Sequence, residues 1–257
     1  MADYSIVSRA DRLDEYLEIA KEYNVAFEIN DFFEPEILDD ETKQKELIEL
    51  YQKKGIPAHS TMHGAFYDVV LFSMDKKIRE ISMQRMRQSM EIAKKLGVKG
   101  VVFHVNHNPC IISDEYTQNV ITEVTDYVRT LLMQYPEIDI YMENMFDRTP
   151  DVLVAISHNL REYKNYGVCL DWAHASVFGD SLAEWVLKTS KYVKHMHVND
   201  NDLIGDLHLP CGSGKIDWEY FAKCYRKYFT KSRILIETTE PKGQKESLCY
   251  LTKIMEM

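Results

Sequence analysis

The sequence predicts an α/β protein, a single-domain (β/α)8 barrel running over residues 1–257. Three observations predict it. Eight short apolar runs recur along the chain, each the length of a buried strand. A helical or loop segment follows each run, and strict alternation of strand and helix argues for a parallel sheet. Eight such units in 257 residues fit a closed barrel, which needs about 250. An open doubly wound sheet is the alternative. No GxGxxG or GxxxxGK[ST] motif follows an early run, which weakens its nucleotide-binding versions.

The runs, in order, are 4–8 (YSIVS), 25–29 (VAFEI), 57–63 (PAHSTMH), 100–105 (GVVFHV), 139–144 (DIYMEN), 167–172 (GVCLDW), 193–198 (VKHMHV) and 233–238 (RILIET). Helical spacing fills the gaps. Leu13, Leu17 and Ala20 share one face, as do Met83, Met86, Met90 and Ala93, whose helix stops at Gly97. Thr149-Pro150 reads as a cap followed by proline at the first helical position. Ser181 and Glu184 form a capping-box pattern, and Asp217 can cap a helix carrying Tyr220, Phe221 and Cys224.

Composition narrows the function. Lys and Arg number 31 against 41 Asp and Glu, so the net charge is −10. Such a chain has no general electrostatic attraction for nucleic acid or an anionic membrane. The five cysteines include no CxxC and suggest no disulfide framework. The first 20 residues lack the basic-then-apolar pattern of a signal peptide, and no apolar run reaches the about 20 residues of a membrane span. The expectation is a reduced, cytoplasmic protein.

A barrel places its active site at the C-terminal ends of its strands. Six consecutive strand ends here carry imidazoles or carboxylates: His63, His104, Glu143, Asp171 with His174, His197 with Asp206 and His208 beyond it, and Glu237. Burying such groups without partners is costly, so this series predicts a metal site. Mixed imidazole and carboxylate ligands suit Zn, Mn or Fe better than Ca. His59 and His195 alternate with His63 and His197 and read as deeper barrel groups. His107 sits beside two asparagines at the pocket, His158 on a helix surface, and Cys211 near His208. Glu28 ends the second strand, in reach of a substrate hydroxyl or a structural salt bridge.

From about His63 to Glu237 the series resembles the xylose isomerase-like TIM barrel superfamily. The pieces ENM, LDWAH, HVND, DLH and GSG-KIDW carry the resemblance in this order. That superfamily holds sugar isomerases and epimerases and also endonuclease IV, a zinc enzyme that cuts abasic DNA. In the epimerases, the positions of Glu143, Asp171, His197 and Glu237 hold one divalent ion. In endonuclease IV, the positions of His63, His104, Glu143, Asp171, His174, His197, Asp206, His208 and Glu237 hold three zinc ions. All nine are present, which keeps the nuclease open. The surroundings depart from it. The chain has HGAFYDV where that enzyme has HxPYxxN, DWAH where it has DTCH, and no Lys or Arg between Val198 and Gly214. The HVNDND…DLHLPxGxGKIDW pattern instead resembles the sugar phosphate isomerase/epimerase group.

The resemblance implies proton abstraction next to a carbonyl, with a metal-stabilised enediolate and with Glu143 and Glu237 as the catalytic carboxylates. The ion would be Mn, Zn, Co or Mg. Asp171 and His197 would complete its shell, and His174 would touch the substrate oxygen or a second ion. Trp172, Phe66 and Trp218 could wall a sugar, although packing is the commoner role for such residues. Lys215 and the Gly212–Gly214 backbone are candidates for a phosphate. The partner is then a small sugar, phosphorylated or neutral, and no membrane. A homo-oligomer stays open. The alternatives are an endonuclease IV-like zinc phosphodiesterase and a metal-binding barrel without turnover.

Overall fold

The computed structural model describes residues 3–256. Residues 1, 2 and 257 of the expected 1–257 domain lie outside the described residues. Eight parallel strands, each hydrogen-bonded to the next and the last to the first, close into a barrel, so the open sheet is excluded. The strands are β1 (Asp3–Ser8), β2 (Ala26–Ile29), β3 (Thr61–His63), β4 (Gly100–His104), β5 (Asp139–Glu143), β6 (Tyr166–Asp171), β7 (Val193–Val198) and β8 (Arg233–Ile236). Around them run α1 (Leu13–Tyr23), α2 (Pro35–Leu38), α3 (Glu41–Lys54), α4 (Lys76–Leu96), α5 (Asp114–Gln134), α6 (Asp151–Leu160), α7 (Trp172–Val177), α8 (Leu182–Thr189), α9 (Trp218–Cys224) and α10 (Pro241–Glu256).

All eight runs become strands, but the third is shorter than expected. Only Thr61–His63 pairs, because the chain from Pro57 turns first and His59 takes a left-handed backbone (φ 64°). His59 is therefore an exposed turn residue and not a deep barrel group; its carbonyl accepts from Arg233. The helices follow their patterns. Met86, Met90 and Ala93 are buried, and α4 stops where Gly97 takes φ 72°. Ser181 accepts from the Glu184 amide (3.3 Å) and Asp217 from the Tyr220 amide (2.8 Å). Pro150 sits one position earlier than expected, as the residue before α6, and Thr149 meets the Asp151 side chain (3.3 Å) instead of a backbone amide.

The apolar core is the layer between strands and helices, including Ile6, Phe27, Met62, Val101, Met142, Val168 and Ile234. The inside of the barrel is different. Its inward residues run from Val102, Tyr141 and Cys169 up to a polar layer. A register irregularity sets part of that layer. Val168 pairs with Val193, yet Cys169 pairs with His195, so Lys194 has no partner on β6. Gly167 gives this bulge its space: a Cβ there would stand 2.9 Å from the Lys194 stem. Beyond the bulge, Asp171 pairs with His197 and both face the axis.

Candidate metal centre

All nine predicted ligand residues meet at the C-terminal end of the barrel. Glu143, at the end of β5, is their hub and is fully buried. Its Oε2 lies 3.2 Å from His104 Nε2 and 3.8 Å from His63 Nε2. Its Oε1 lies 3.3 Å from His197 Nδ1 and 3.7 Å from His174 Nδ1. His197 Nδ1 is also 3.6 Å from Glu237 Oε2. Asp171 caps α7 by accepting the His174 amide (2.7 Å), which fixes the two relative to each other. Across the mouth, Asp206 Oδ2 is shared by His174 Nε2 (3.2 Å) and His208 Nε2 (2.9 Å).

Three imidazoles are oriented from behind. Nδ1 of His63 faces the Gly64 carbonyl, that of His174 the Asn144 carbonyl and that of His208 the Glu237 carbonyl, each at 2.9 Å. Donation from Nδ1–H leaves Nε2 as the atom facing the centre, free to ligate an ion that displaces its proton, the usual orientation of a ligating histidine. His208 reaches its place through a left-handed backbone (φ 48°).

The electrostatics are those of crowded charges. Burial pushes the Asp171 carboxyl up to about 8, with Glu237 and Glu143 adding to the rise against His174. Burial also acts on Glu143, but His197 and His104 outweigh it and hold that carboxyl well below the usual range. Glu237 is held to about 2 by His197 and His208 against its burial. Burial pushes the His208 imidazole down, but Glu237 and Asp206 bring it up to about 10.

A divalent ion fits this donor set. Among the described residues, both oxygens of Glu143, Asp171 Oδ2, His197 Nδ1 and Glu237 Oε2 are buried without an aligned hydrogen-bond partner. Their atoms approach one another without pointing at one another. The ligand atoms of Glu143, Asp171 and His197 lie within 4.8 Å of each other, as do those of His63, His104 and Glu143. Such mutual closeness without bonding is what an ion would resolve.

The expected substrate groups divide. Phe66 walls the site, its ring 5.1 Å from His63 and 4.9 Å from His104, with Phe33 and Tyr67 packed against it. Trp172 is fully buried against Phe221 in the helix layer, because the residue after Asp171 points away from the axis. Trp218 packs on Phe221 and gives its Nε1–H to Asp200 (2.8 Å). Neither tryptophan can wall a ligand. The Gly212–Gly214 segment is no phosphate loop either, since the Gly212 amide serves an internal anion and the Ser213 amide the Pro210 carbonyl. The buried Asp200 carboxylate takes the Gly212, Ile216 and Asn201 amides. A Cβ on Gly214 would stand 2.3 Å from that carboxylate. Lys215 is exposed, its backbone amide spent on the Asn201 carbonyl (2.8 Å). Glu28 is fully buried beneath His197 and out of reach of a substrate.

Other histidines sit where their surroundings dictate. His107 Nδ1 pairs with Asp147 (3.0 Å) and its ring stacks on Tyr116, beside the nine-residue cluster but not in it. His158 is exposed on α6. His195 is buried, stacked on Tyr141. Cys211 is buried, its amide on Ser247 (2.9 Å). Sequence reasoning misses Asn144, which locks the Asp171 backbone by a reciprocal pair of bonds at 3.0 and 2.9 Å. Its position directly after Glu143 is the only signal.

The loops that follow the strands are poor in cations: Arg9, Arg12, Arg148 and Lys215. Arg9 pairs with Asp11 (3.9 Å), Arg12 with Glu15 and Glu240 (2.8 and 2.5 Å), and Arg148 with Asp180 (2.8 Å).

The model of the family described as xylose isomerase-like TIM barrel matches residues 17–254. The chain is 30% identical over 178 residues to the uncharacterized protein MJ1614 of Methanocaldococcus jannaschii, covering 65% of this chain and 66% of that protein. A second protein of that organism, MJ1311, is 29% identical over 172 residues, or 61% and 56%. The chain thus spans under two thirds of these relatives' length. A probable endonuclease 4 of Mycobacterium ulcerans is a more distant match, 26% over 199 residues, or 72% and 75%. Among solved structures, the TTHB071 protein of Thermus thermophilus, soaked with zinc chloride, superposes with a TM-score of 0.81 at 20% identity, covering 99% and 98%. A D-tagatose 3-epimerase-like protein gives 0.79 at 24% identity, covering 99% and 97%. These likenesses show the same fold.

Proposed function

The chain belongs to the xylose isomerase-like TIM barrel family, and from that premise we propose that it is a divalent-metal-dependent isomerase or epimerase of a small sugar or sugar phosphate. The observation that carries this reading is the convergence of Glu143, Asp171, His197 and Glu237, with unsatisfied ligand atoms, beneath a mouth whose three arginines are all paired with acids. DNA binding needs free cations to hold phosphates, and the strand-following loops offer only Lys215 outside an ion pair. A neutral, hydroxyl-rich ligand needs none.

A divalent ion held by these four residues would polarise the sugar carbonyl and offset the charge that develops beside it. Glu143 takes the proton at its carboxylate. Glu237, three strands further round the barrel and ionised like Glu143, takes a proton from solvent and returns it to the carbon from its own side, while Glu143 releases the proton it took to solvent. Glu237 is the less enclosed of the two, its side chain 13% exposed against 1% for Glu143. Phe66, Phe33 and Tyr67 keep water from the imidazole side. Asn144 holds Asp171, and Asp171 holds the His174 amide, so the floor of the site is rigid before substrate arrives.

A second reading rests on a separate observation. His63, His174 and His208 all present Nε2 to the centre, as ligands of further ions would. This favours a three-zinc phosphodiesterase. Metal content by mass spectrometry, on protein purified without chelator, divides the readings. About one Mn, Co or Mg per chain supports the isomerase and about three Zn the phosphodiesterase. Abasic DNA is assayed first, then ketoses in deuterated water. Deuterium entering next to the carbonyl supports the proposal; DNA cleavage without it overturns it. Metal and sugar binding without either reaction points to a barrel that only binds.

A further inference from the structure

We propose that Glu28 is a positioning residue of the metal centre, a buried carboxylate that fixes the His197 ring from below so that Nδ1 faces the ion. The proposal rests on the metal reading above and adds to it a group beyond the ligand set.

The carboxylate lies midway down the barrel, fully buried. Thr61 donates to its Oε2 (2.9 Å), and His195 Nε2 lies 3.0 Å from the same atom. These two anchors come from β3 and β7, on either side of the barrel axis from one another. The other oxygen, Oε1, stands 3.1 Å from His197 Nε2. That contact is close but out of line, and neither atom has another hydrogen-bond partner among the described residues. A small turn of the imidazole about its Cβ–Cγ bond brings Nε2–H onto the oxygen. The same turn adjusts Nδ1, which sits between Glu143 and Glu237.

The physical case is one of tautomer and charge. A ligating histidine must offer a lone pair on one nitrogen and carry its proton on the other, and a carboxylate behind it sets which is which. Cys169 Sγ also lies near His197, but a thiol accepts far more weakly than a carboxylate, and Glu28 Oε1 is the charged acceptor at 3.1 Å. Glu28 cannot turn away to serve a ligand, because Thr61 and His195 hold its second oxygen. His195 itself is clamped by Tyr141, whose ring stacks on it at 5.2 Å. The arrangement is a brace: Tyr141 on His195, His195 on Glu28, Glu28 on His197.

The test uses the full chain labelled with 15N in histidine, with and without zinc. Its readouts are the protonation of His197 Nε2 by NMR and zinc affinity by competition with a chelating dye. In the unaltered protein, Nε2 carries a slowly exchanging proton in both forms. Glu28→Gln makes that proton exchange rapidly and weakens zinc binding about 10–100-fold. Val102→Ala, inside the barrel but outside the brace, changes zinc affinity less than about threefold. It serves as the control for disturbance of the barrel interior. A bare Nε2 in the unaltered protein overturns the proposal, as does zinc affinity unchanged in Glu28→Gln. If the proton is present and is lost in Glu28→Gln, but the unaltered protein takes up no zinc, Glu28 positions His197 and it is the metal reading that falls.

Discussion

Oε1 of Glu143 and Nδ1 of His197 lie 3.3 Å apart in the barrel interior, and neither is hydrogen-bonded to any described group. Polar atoms brought so close and left unbonded are expensive unless something between them is bonded to both. Glu143→Gln keeps the shape and removes the charge. Metal content falls to background by mass spectrometry, and turnover falls about 10³-fold or more. A Glu143→Gln variant that retains its metal would remove Glu143 from the shell.

Asp171 sets the pH range of metal uptake. Its carboxyl, pushed up to about 8 by burial, holds a proton at neutral pH that an ion must displace. Below that value protons compete with the ion at Asp171, so apparent affinity rises about tenfold or more per pH unit between about 6 and 8. The rise continues beyond. Burial pushes the His197 imidazole down, but Cys169, Glu143 and Glu28 hold it well above its ordinary value, and it too yields a proton to the ion. Titration calorimetry at several pH values, in buffers of different ionisation enthalpy, reads both the slope and the proton released.

His104 separates one ion from several. It touches Glu143 Oε2 and His63 but is not one of the four proposed ligands of the sugar site. His104→Ala leaves metal content near one per chain and lowers sugar turnover less than about tenfold. Loss of a whole equivalent of zinc would favour the multinuclear reading.

Asp200 is a structural prediction. Its carboxylate gathers the amides of Gly212, Ile216 and Asn201 and the Trp218 indole. Asp200→Ala leaves these donors unpaired and costs about 3–5 kcal/mol in urea unfolding. Because this cradle anchors the loop that carries Asp206 and His208, zinc affinity falls with it.

Much of this is legible in the chain. Barrel strands are short apolar runs, and ligand-type residues at their ends stand out because that chemistry is rare among buried positions. The third strand reads too long from sequence, since Pro57-Ala58 looks apolar but the backbone turns at His59. For both tryptophans packing is the role that holds: Trp172 turns to the helix layer where β6 passes into α7, and Trp218 opens α9 against Phe221. The GSGK segment looks like a phosphate loop, and only the folded chain reveals that its Gly212, Ser213 and Lys215 amides are spent on Asp200, Pro210 and Asn201. The role of Glu28 is hidden because its partners are 33 and 167 positions away.

Lys194, left out of the pairing with β6, has an implication for how the strand can vary in length. Because the bulge takes up one residue, the pairing of Asp171 with His197 is independent of how many residues precede it at that point. Removing Lys194 leaves a regular strand with His195 and His197 still turned inward, so the shortened chain keeps its metal. Removing Met196, two positions on, rotates His197 out toward the helices and abolishes binding. The strand can thus lose one residue just below the centre, while the two residues above it are held to a fixed count.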